Sequence, residues 1–456
     1  MFSKSIFVSI IFIFNALIQL VSQIAITRIF GAKLDLDIFL AAVAIPTLIV
    51  STVYATLNDA FLPIYGQKKV KDPKNATTYL FQTLTNLVSL SFLIALIMNF
   101  LSLPISKALY ASRGGEFVSA VAVQMNYMFY SMPLAIVATI LGVHYYSKKK
   151  FYRFPFAQLV GNATNLLMII LLQPLIGIWS MVFAFVANLF FQITILFPLK
   201  KLSLPNNYSL ISNNFYLLTP NLSSLLKLLF SWFPLILAYS AFRSETVFVR
   251  AFASSLPTGY MVYLNLILKM FTLTTGVATI GLQVLLLPHL VEYFADVRHH
   301  PKAILLVNQS KLIALIVSTI IAFITMLIAP ILINLLFVGG KFSTQDAKIT
   351  ISMLPLFVIP AIAWGSYGVF FQPILALKKS FHLAVVCTLS LGLGWLVGAV
   401  IKSLAGPLAG ISVGLIVWLG FGIIGTELLW QIYKKKNLNY QAPPLSSQPT
   451  NEPILP

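Results

Sequence analysis

The sequence alternates between apolar runs of about 20 residues and short polar breaks, the pattern of a chain that crosses a bilayer repeatedly. Twelve runs are read, at 5–27, 37–62, 80–105, 118–146, 155–175, 177–199, 222–242, 257–288, 311–337, 350–376, 381–402 and 406–433. Each is expected to be a helix, because in hydrocarbon every backbone N–H and C=O must be satisfied within its own segment. The first run lies in MFSKSIFVSIIFIFNALIQLV and opens like a signal peptide. It exceeds a typical signal core and no small-residue cleavage site follows, so it is read as the first span.

Composition strengthens this reading. Hydrophobic residues make up 59% and charged residues 9%, against roughly 25% charged in soluble domains. The single cysteine, Cys387, excludes an internal disulfide. No Cys/His cluster has metal-ligand spacing, and no phosphate loop, nucleophile elbow or carboxylate pair is visible, so neither an enzyme nor a cofactor is expected.

Net charge is +19, and its placement separates nucleic-acid binding from membrane topology. With alternate loops assigned to opposite sides, 20 of the 30 Lys and Arg residues fall on one side and 9 on the other. Lys269 is the thirtieth. By the positive-inside rule the richer side, with both termini, is cytoplasmic. The basic excess then serves topology and contact with anionic phospholipids rather than nucleic acid. The tail 437–456 is Pro-rich and polar and is expected to be disordered.

Two features recur at nearly equal spacing. YYSKKKFYRFPFAQL (145–159) parallels ILALKKSFHLAVV (374–386), and TLNDAFLPIYGQKK (56–69) parallels GLQVLLLPHLVEYF (281–294). The offsets are 229 residues between Lys150 and Lys379 and 225 between Pro63 and Pro288. A parallel repeat of six spans is a transporter architecture with its site between the halves. The predicted fold is an all-α polytopic membrane protein, two pseudo-symmetric six-helix lobes around a central cavity. Its parts are 1–201, a cytoplasmic linker 202–221, and 222–436.

Lys269 is the foremost candidate site residue. It is the only charge between Arg250 and Glu292, at the centre of a span, where a charge costs at least a few kcal/mol and usually faces a substrate path. The alternative is a structural ion paired with Asp59 or a carbonyl. Asn15, Gln19 and Gln23 share one stripe of the first span, and Asn162 and Asn165 one of the fifth. Interhelical hydrogen bonding and glycan recognition both fit such amides. Asp59 reads as a gate or a solvated helix end, Glu427 as a snorkelling or proton-coupling acid. Pro46, Pro133, Pro234, Pro330, Pro355 and Pro360 are expected to kink spans. Gly392, Gly394 and Gly398 are expected to permit close helix approach.

The motifs TRIFGAKLDLDIFLAAVAIPTLI (27–49), NDAFLPIY (58–65), RFPFAQLVGNATN (153–165), FASSLPTGYMVYLNLILK (252–269), TGVATIGLQVLLLPHL (275–290), FVGGKFSTQDA (337–347) and LLWQIYKKK (428–436) resemble, in order and spacing, the MurJ/MviN family of lipid II flippases. The resemblance implies alternating access around a cavity whose basic residues hold a lipid pyrophosphate. It also implies a monomer in the bacterial inner membrane, with cell-wall synthesis machinery as candidate partner. Carried over by motif, the basic residue of the eighth span is Lys269, the RIFGA arginine is Arg28, and the acid opening the second span is Asp37. Arg28 and Asp37 flank a short outer loop, where a local ion pair and an outer gate are both compatible. Departures are substantial. Two basic positions of the family's first span fall on Ala16 and Ser22, and a basic pair of its second falls near Val50 and Ser51. The carboxylate that some members place in the eleventh span is absent. Members often have fourteen spans, where this chain reads as twelve. The expected function is inner-to-outer transfer of an undecaprenyl-pyrophosphate-linked saccharide. Another lipid-linked glycan, ion-coupled export of small amphipathic molecules, and a non-transporting scaffold remain alternatives.

Overall fold

A computed structural model describes residues 2–197 and 222–437. The expected linker 202–221 and the tail beyond Asn437 lie outside the described residues. The first half comprises α1 (Phe2–Phe30), α2 (Leu34–Lys71), α3 (Pro73–Tyr110), α4 (Gly115–Phe129), α5 (Ser131–Ser147), α6 (Arg153–Ile176) and α7 (Trp179–Leu196). The second comprises α8 (Leu222–Phe242), α9 (Glu245–Ala253), α10 (Tyr260–Ala295), α11 (His300–Leu332), α12 (Thr344–Met353), α13 (Val358–Ala376), α14 (Ser380–Ala405) and α15 (Pro407–Asn437). Among the described residues there is no strand, only an isolated bridge between Gly339 and Phe342. Eleven helical stretches are long and apolar enough to cross a membrane, and α10, 36 residues long, covers the remaining expected run.

The helices outrun the apolar runs. α2 and α3 are each 38 residues, so Lys68, Lys69 and Lys71, expected in a loop, ride on the last turns of α2, where cations oppose the helix dipole. Asp72 then caps α3, accepting from Asn75 N at 3.2 Å, with Pro73 supplying the preset first turn. Other spans are broken. The fourth divides at Tyr130, three residues before Pro133. The tenth divides at a 3-10 turn over 354–357 that contains Pro355. Residues 243–256, expected as a loop, instead hold α9, whose residues from Val247 to Ala253 are all buried.

The expected repeat has a local counterpart in backbone geometry. Lys149 and Lys378, 229 positions apart, have φ of 58° and 57° and are the described non-glycine residues with positive φ. Around the first, Lys150 N donates to Tyr145 O and Lys149 N to Tyr146 O. Around the second, Lys379 N donates to Ile374 O and Lys378 N to Leu375 O. Both are Schellman turns, which end a helix by tying its last carbonyls to the following amides.

Packing runs largely within each half: α1 on α6, α6 on α7, α2 on α4 and α5; then α10 on α11 and α13, and α14 on α15 and α8. Across the halves, α2 meets α8, α9 and α10, and α1 meets α10 and the turn 333–337. The α14–α15 pair is close because a Cβ at Gly394 would lie 2.4 Å from Trp418 Cβ and one at Gly398 3.0 Å from Gly410 O. Gly392, expected to share this role, faces open space. Side chains such as Phe100, Leu171, Leu327 and Leu404 point outward and exposed. They suit lipid, which carries no penalty for apolar surface.

Candidate functional site

α10 is buried without interruption from Met261 to Ile267, yet Lys269 is accessible. The reason is a cavity of about 310 Å³ between α10 and α1, α6 and α7. Lys269 is the only charged residue in its lining. Its ammonium makes no ion pair or hydrogen bond among the described residues, so the expected pairing with Asp59 is not formed. Asp59 is itself accessible and makes no ion pair among the described residues.

The opposite wall consists of amides. Gln19, Gln23, Asn162, Asn165 and Asn188 line the cavity. A chain of hydrogen bonds fixes part of it. Tyr54 Oη donates to Gln192 Oε1 (2.9 Å), Gln192 Nε2 to Asn188 Oδ1 (2.6 Å), Asn188 Nδ2 to Asn162 Oδ1 (3.0 Å), and Asn162 Nδ2 to Asn15 Oδ1 (2.7 Å). Four helices are thus tied by side chains that would otherwise leave polar groups bare in hydrocarbon. The chain needs room. A Cβ at Gly161 would lie 2.3 Å from Asn188 Oδ1 and 2.8 Å from its carbonyl oxygen. Asn15, expected with Gln19 and Gln23 as one stripe, serves as the anchor of this chain. Gln23 donates to Thr27 Oγ1 at 3.4 Å. Gln19 and Asn165 make no side-chain hydrogen bond among the described residues.

At the end of the bundle that carries the α1–α2 turn, the halves are pinned together. Asp37, fully buried, accepts from Arg113 at 3.2 Å and from Gly259 N at 2.8 Å. Arg113 also donates to Pro257 O (3.2 Å) and Thr258 Oγ1 (3.4 Å). Arg250 reaches from α9 to Leu40 O of α2 and to Asn265 Oδ1, and Ser112 donates to Ser254 at 2.9 Å. The expected ion pair between Asp37 and Arg28 is therefore replaced. Asp37 turns inward to a residue 76 positions away, while exposed Arg28 donates to Leu335 O at 3.4 Å. The Arg28 carbonyl accepts from Lys341 N (2.8 Å). That contact requires a glycine next door, since Gly340 has φ +59° and a Cβ there would lie 2.3 Å from Arg28 O.

Glu427 is held within the second half. Lys311 Nζ, nearly buried, donates to it at 2.5 Å and lies over the rings of Phe370 (5.1 Å) and Trp430 (5.3 Å). Sequence reasoning gave Lys311, the first residue of the 311–337 run, no site role and passed over Arg113, Arg250, Asn188 and Gln192. It also missed Glu245, which stands at the α8–α9 break beside a void of about 20 Å³ and within electrostatic reach of Arg243, Lys269 and Arg250. The i, i+4 spacing of Asn188 and Gln192 was the one available signal. No group of three or more potential metal ligands occurs among the described residues.

The family described as "Lipid II flippase MurJ" matches residues 26–444. The chain belongs to the MurJ lipid II flippase family. A probable lipid II flippase MurJ of Borreliella burgdorferi is 26% identical over 367 residues, covering 78% of this chain and 70% of that protein. The solved structure of a lipid II flippase MurJ in an inward closed conformation superposes with a TM-score of 0.75 at 17% identity, covering 93% of this chain and 87% of that one. An inward-facing multidrug resistance MATE transporter of the MOP superfamily reaches 0.71 at 14% identity, covering 92% and 96%. Membership makes the protein a multi-pass membrane transporter of peptidoglycan synthesis rather than an enzyme, and its cavity the place to look for cargo.

Proposed function

We propose that the chain moves an undecaprenyl-pyrophosphate-linked saccharide, lipid II first among candidates, from the inner to the outer leaflet by alternating access. The observation that carries this is Lys269: an ammonium with no ion pair or hydrogen bond among the described residues, open to a cavity bounded by both halves. A point charge of this kind meets a phosphate without the bidentate fork of arginine. The excess of Lys and Arg at the opposite end supports an outer position for the α1–α2 turn. The bonds from Arg113, Arg250 and Arg28 then close the outer end, and the conformation is one that takes cargo from the cytoplasmic side. The matching turns at Lys149 and Lys378 favour two six-span lobes that rock against each other. Cargo that binds one state better supplies the shift. Membrane potential adds about 2.3 kcal/mol per charge per 100 mV. Lysines at the cytoplasmic end meet anionic phospholipids, and the unit is a monomer that serves cell-wall synthesis enzymes.

A second reading, a different lipid-linked glycan, is favoured by the lining itself, in which one cation faces five amides. Both are tested in cells depleted of their own lipid II flippase, by quantifying lipid II in the outer leaflet. Rescue by this chain and failure of Lys269→Ala at equal membrane levels is the expected result. Rescue by both would remove Lys269 from the site. No rescue by a well-inserted chain would refute lipid II as cargo.

A further inference from the structure

Resting on the reading of a lipid-linked saccharide as cargo, we infer that the α1–α6–α7 wall is a binding site for an uncharged sugar ring, set opposite the anion site at Lys269. Three observations lead there. First, the wall carries carboxamides and no charge. Each carboxamide offers both donors and an acceptor, which suits a hydroxyl that donates and accepts at once. A phosphate only accepts, and a wall built for it would show donors alone. Second, the amides exceed what packing requires. α6 and α7 are already joined through Asn162 and Asn188, yet Gln19 and Asn165 stand in the same cavity without a side-chain hydrogen bond among the described residues. Gln19 is exposed and Asn165 half-buried, so their donors and acceptors are open to the cavity and available to a ligand that pairs with them. Third, the bonded members are held in one orientation by the chain from Tyr54 to Asn15, so the wall is preorganised rather than adaptable. Phe185 and Phe337 also line the cavity and give the C–H faces of a ring an apolar surface.

The volume, about 310 Å³, is at the lower end for ligand cavities, which suits one ring next to a phosphate. A sugar phosphate bound here touches α10 through its anion and α1, α6 and α7 through its ring. It bridges both halves, as a group that biases their closure must.

The test uses the purified full chain in nanodiscs and two soluble probes, N-acetylglucosamine 1-phosphate and inorganic phosphate, titrated by saturation-transfer NMR. The expected result is that the sugar phosphate binds about tenfold tighter, the equivalent of one or two net hydrogen bonds. In a Gln19→Leu/Asn165→Leu variant that preference falls to about one, with phosphate affinity kept. Asn165→Ala alone, which removes volume rather than adding it, lowers the preference in part and guards against misfolding of the double variant. Equal binding of the two probes by the wild type, or a preference that survives the double variant, overturns the sugar site. Lys269→Ala tests the other reading separately: it weakens both probes together. Phosphate binding indifferent to that change would overturn the anion site and leave the ratio of the two probes to decide the sugar wall.

Discussion

Replacing Arg113 by alanine is expected to unlatch the end of the bundle that carries the α1–α2 turn. The pair with Asp37 spans 3.2 Å, and neither side chain is more than 10% exposed. At an effective dielectric constant of about 20, the Coulombic attraction at that distance is about 5 kcal/mol. Desolvation offsets part of it, and Asp37 keeps the Gly259 N–H in the variant. Breaking one side of a buried pair costs about 3–5 kcal/mol, and the retained donor puts this case near 3. Two of the arginine's three bonds, to Pro257 O and Thr258 Oγ1, cross to the loop before α10, and at about 1.5–3 kcal/mol each for a charged donor their loss puts about 3 kcal/mol on the closed state. A shift of about 3 kcal/mol changes the closed-to-open ratio by about a hundredfold. Ser254 reports it, being buried at that end and bonded to Ser112. In a Cys387→Ser/Ser254→Cys background, maleimide labelling of the purified protein should accelerate by up to about a hundredfold on Arg113→Ala, with Arg113→Lys between the two. An unchanged labelling rate would refute the latch.

Other outcomes follow from the same reasoning. Gly161→Ala should cost about 2–4 kcal/mol, from overpacking of ~1–3 and two weakened interhelical bonds, whereas Gly392→Ala, facing open space, should gain up to about 1 kcal/mol in helix propensity; thermal unfolding in detergent ranks them, and an equal midpoint would contradict the packing described. Glu427→Leu strands the nearly buried Lys311 and should cost about 3 kcal/mol. Lys311→Met leaves a third-exposed carboxylate still bonded to Gln431 and should cost about 1 kcal/mol or less; a reversed order of unfolding midpoints would show that the aromatic rings, not the carboxylate, hold the ammonium. Lys149→Gly and Lys378→Gly should each stabilise by about 1 kcal/mol by relieving the left-handed conformation, and a loss of stability at either would mean that its side chain has a tertiary role.

Hydrocarbon imposes so simple a rule on the backbone that all twelve runs fall on helices. The Lys-Lys-aromatic pairs at 148–150 and 378–379 were legible for a related reason: a helix stop is a local event, and the same stop recurs with the same φ. Lys269 was legible because a lone charge in an apolar run has few explanations. What stayed hidden was long-range. Asp37 has Arg28 nearby in sequence, yet its partner lies 76 positions on, since side-chain direction on α2 rather than proximity along the chain decides. Arg250 and Glu245 looked like loop charges because α9, 9 residues long, is too short to register as a span. Lys311 opens the 311–337 run, and its role stayed hidden because periodicity does not reveal a carboxylate on the last helix.

The contrast between the two cavity walls has a consequence for how the protein behaves in brine and in dilute medium. The hold of a lone ammonium on a phosphate is weakened by mobile ions wherever the cavity admits water, because screening lengths shrink from about 10 Å at 0.1 M to about 3 Å at 1 M. Carboxamides carry no net charge and are indifferent to that screening, and they do not titrate. A binding site divided in this way keeps a floor of recognition that osmotic shock and acidification leave in place, while its electrostatic share rises and falls with the surroundings.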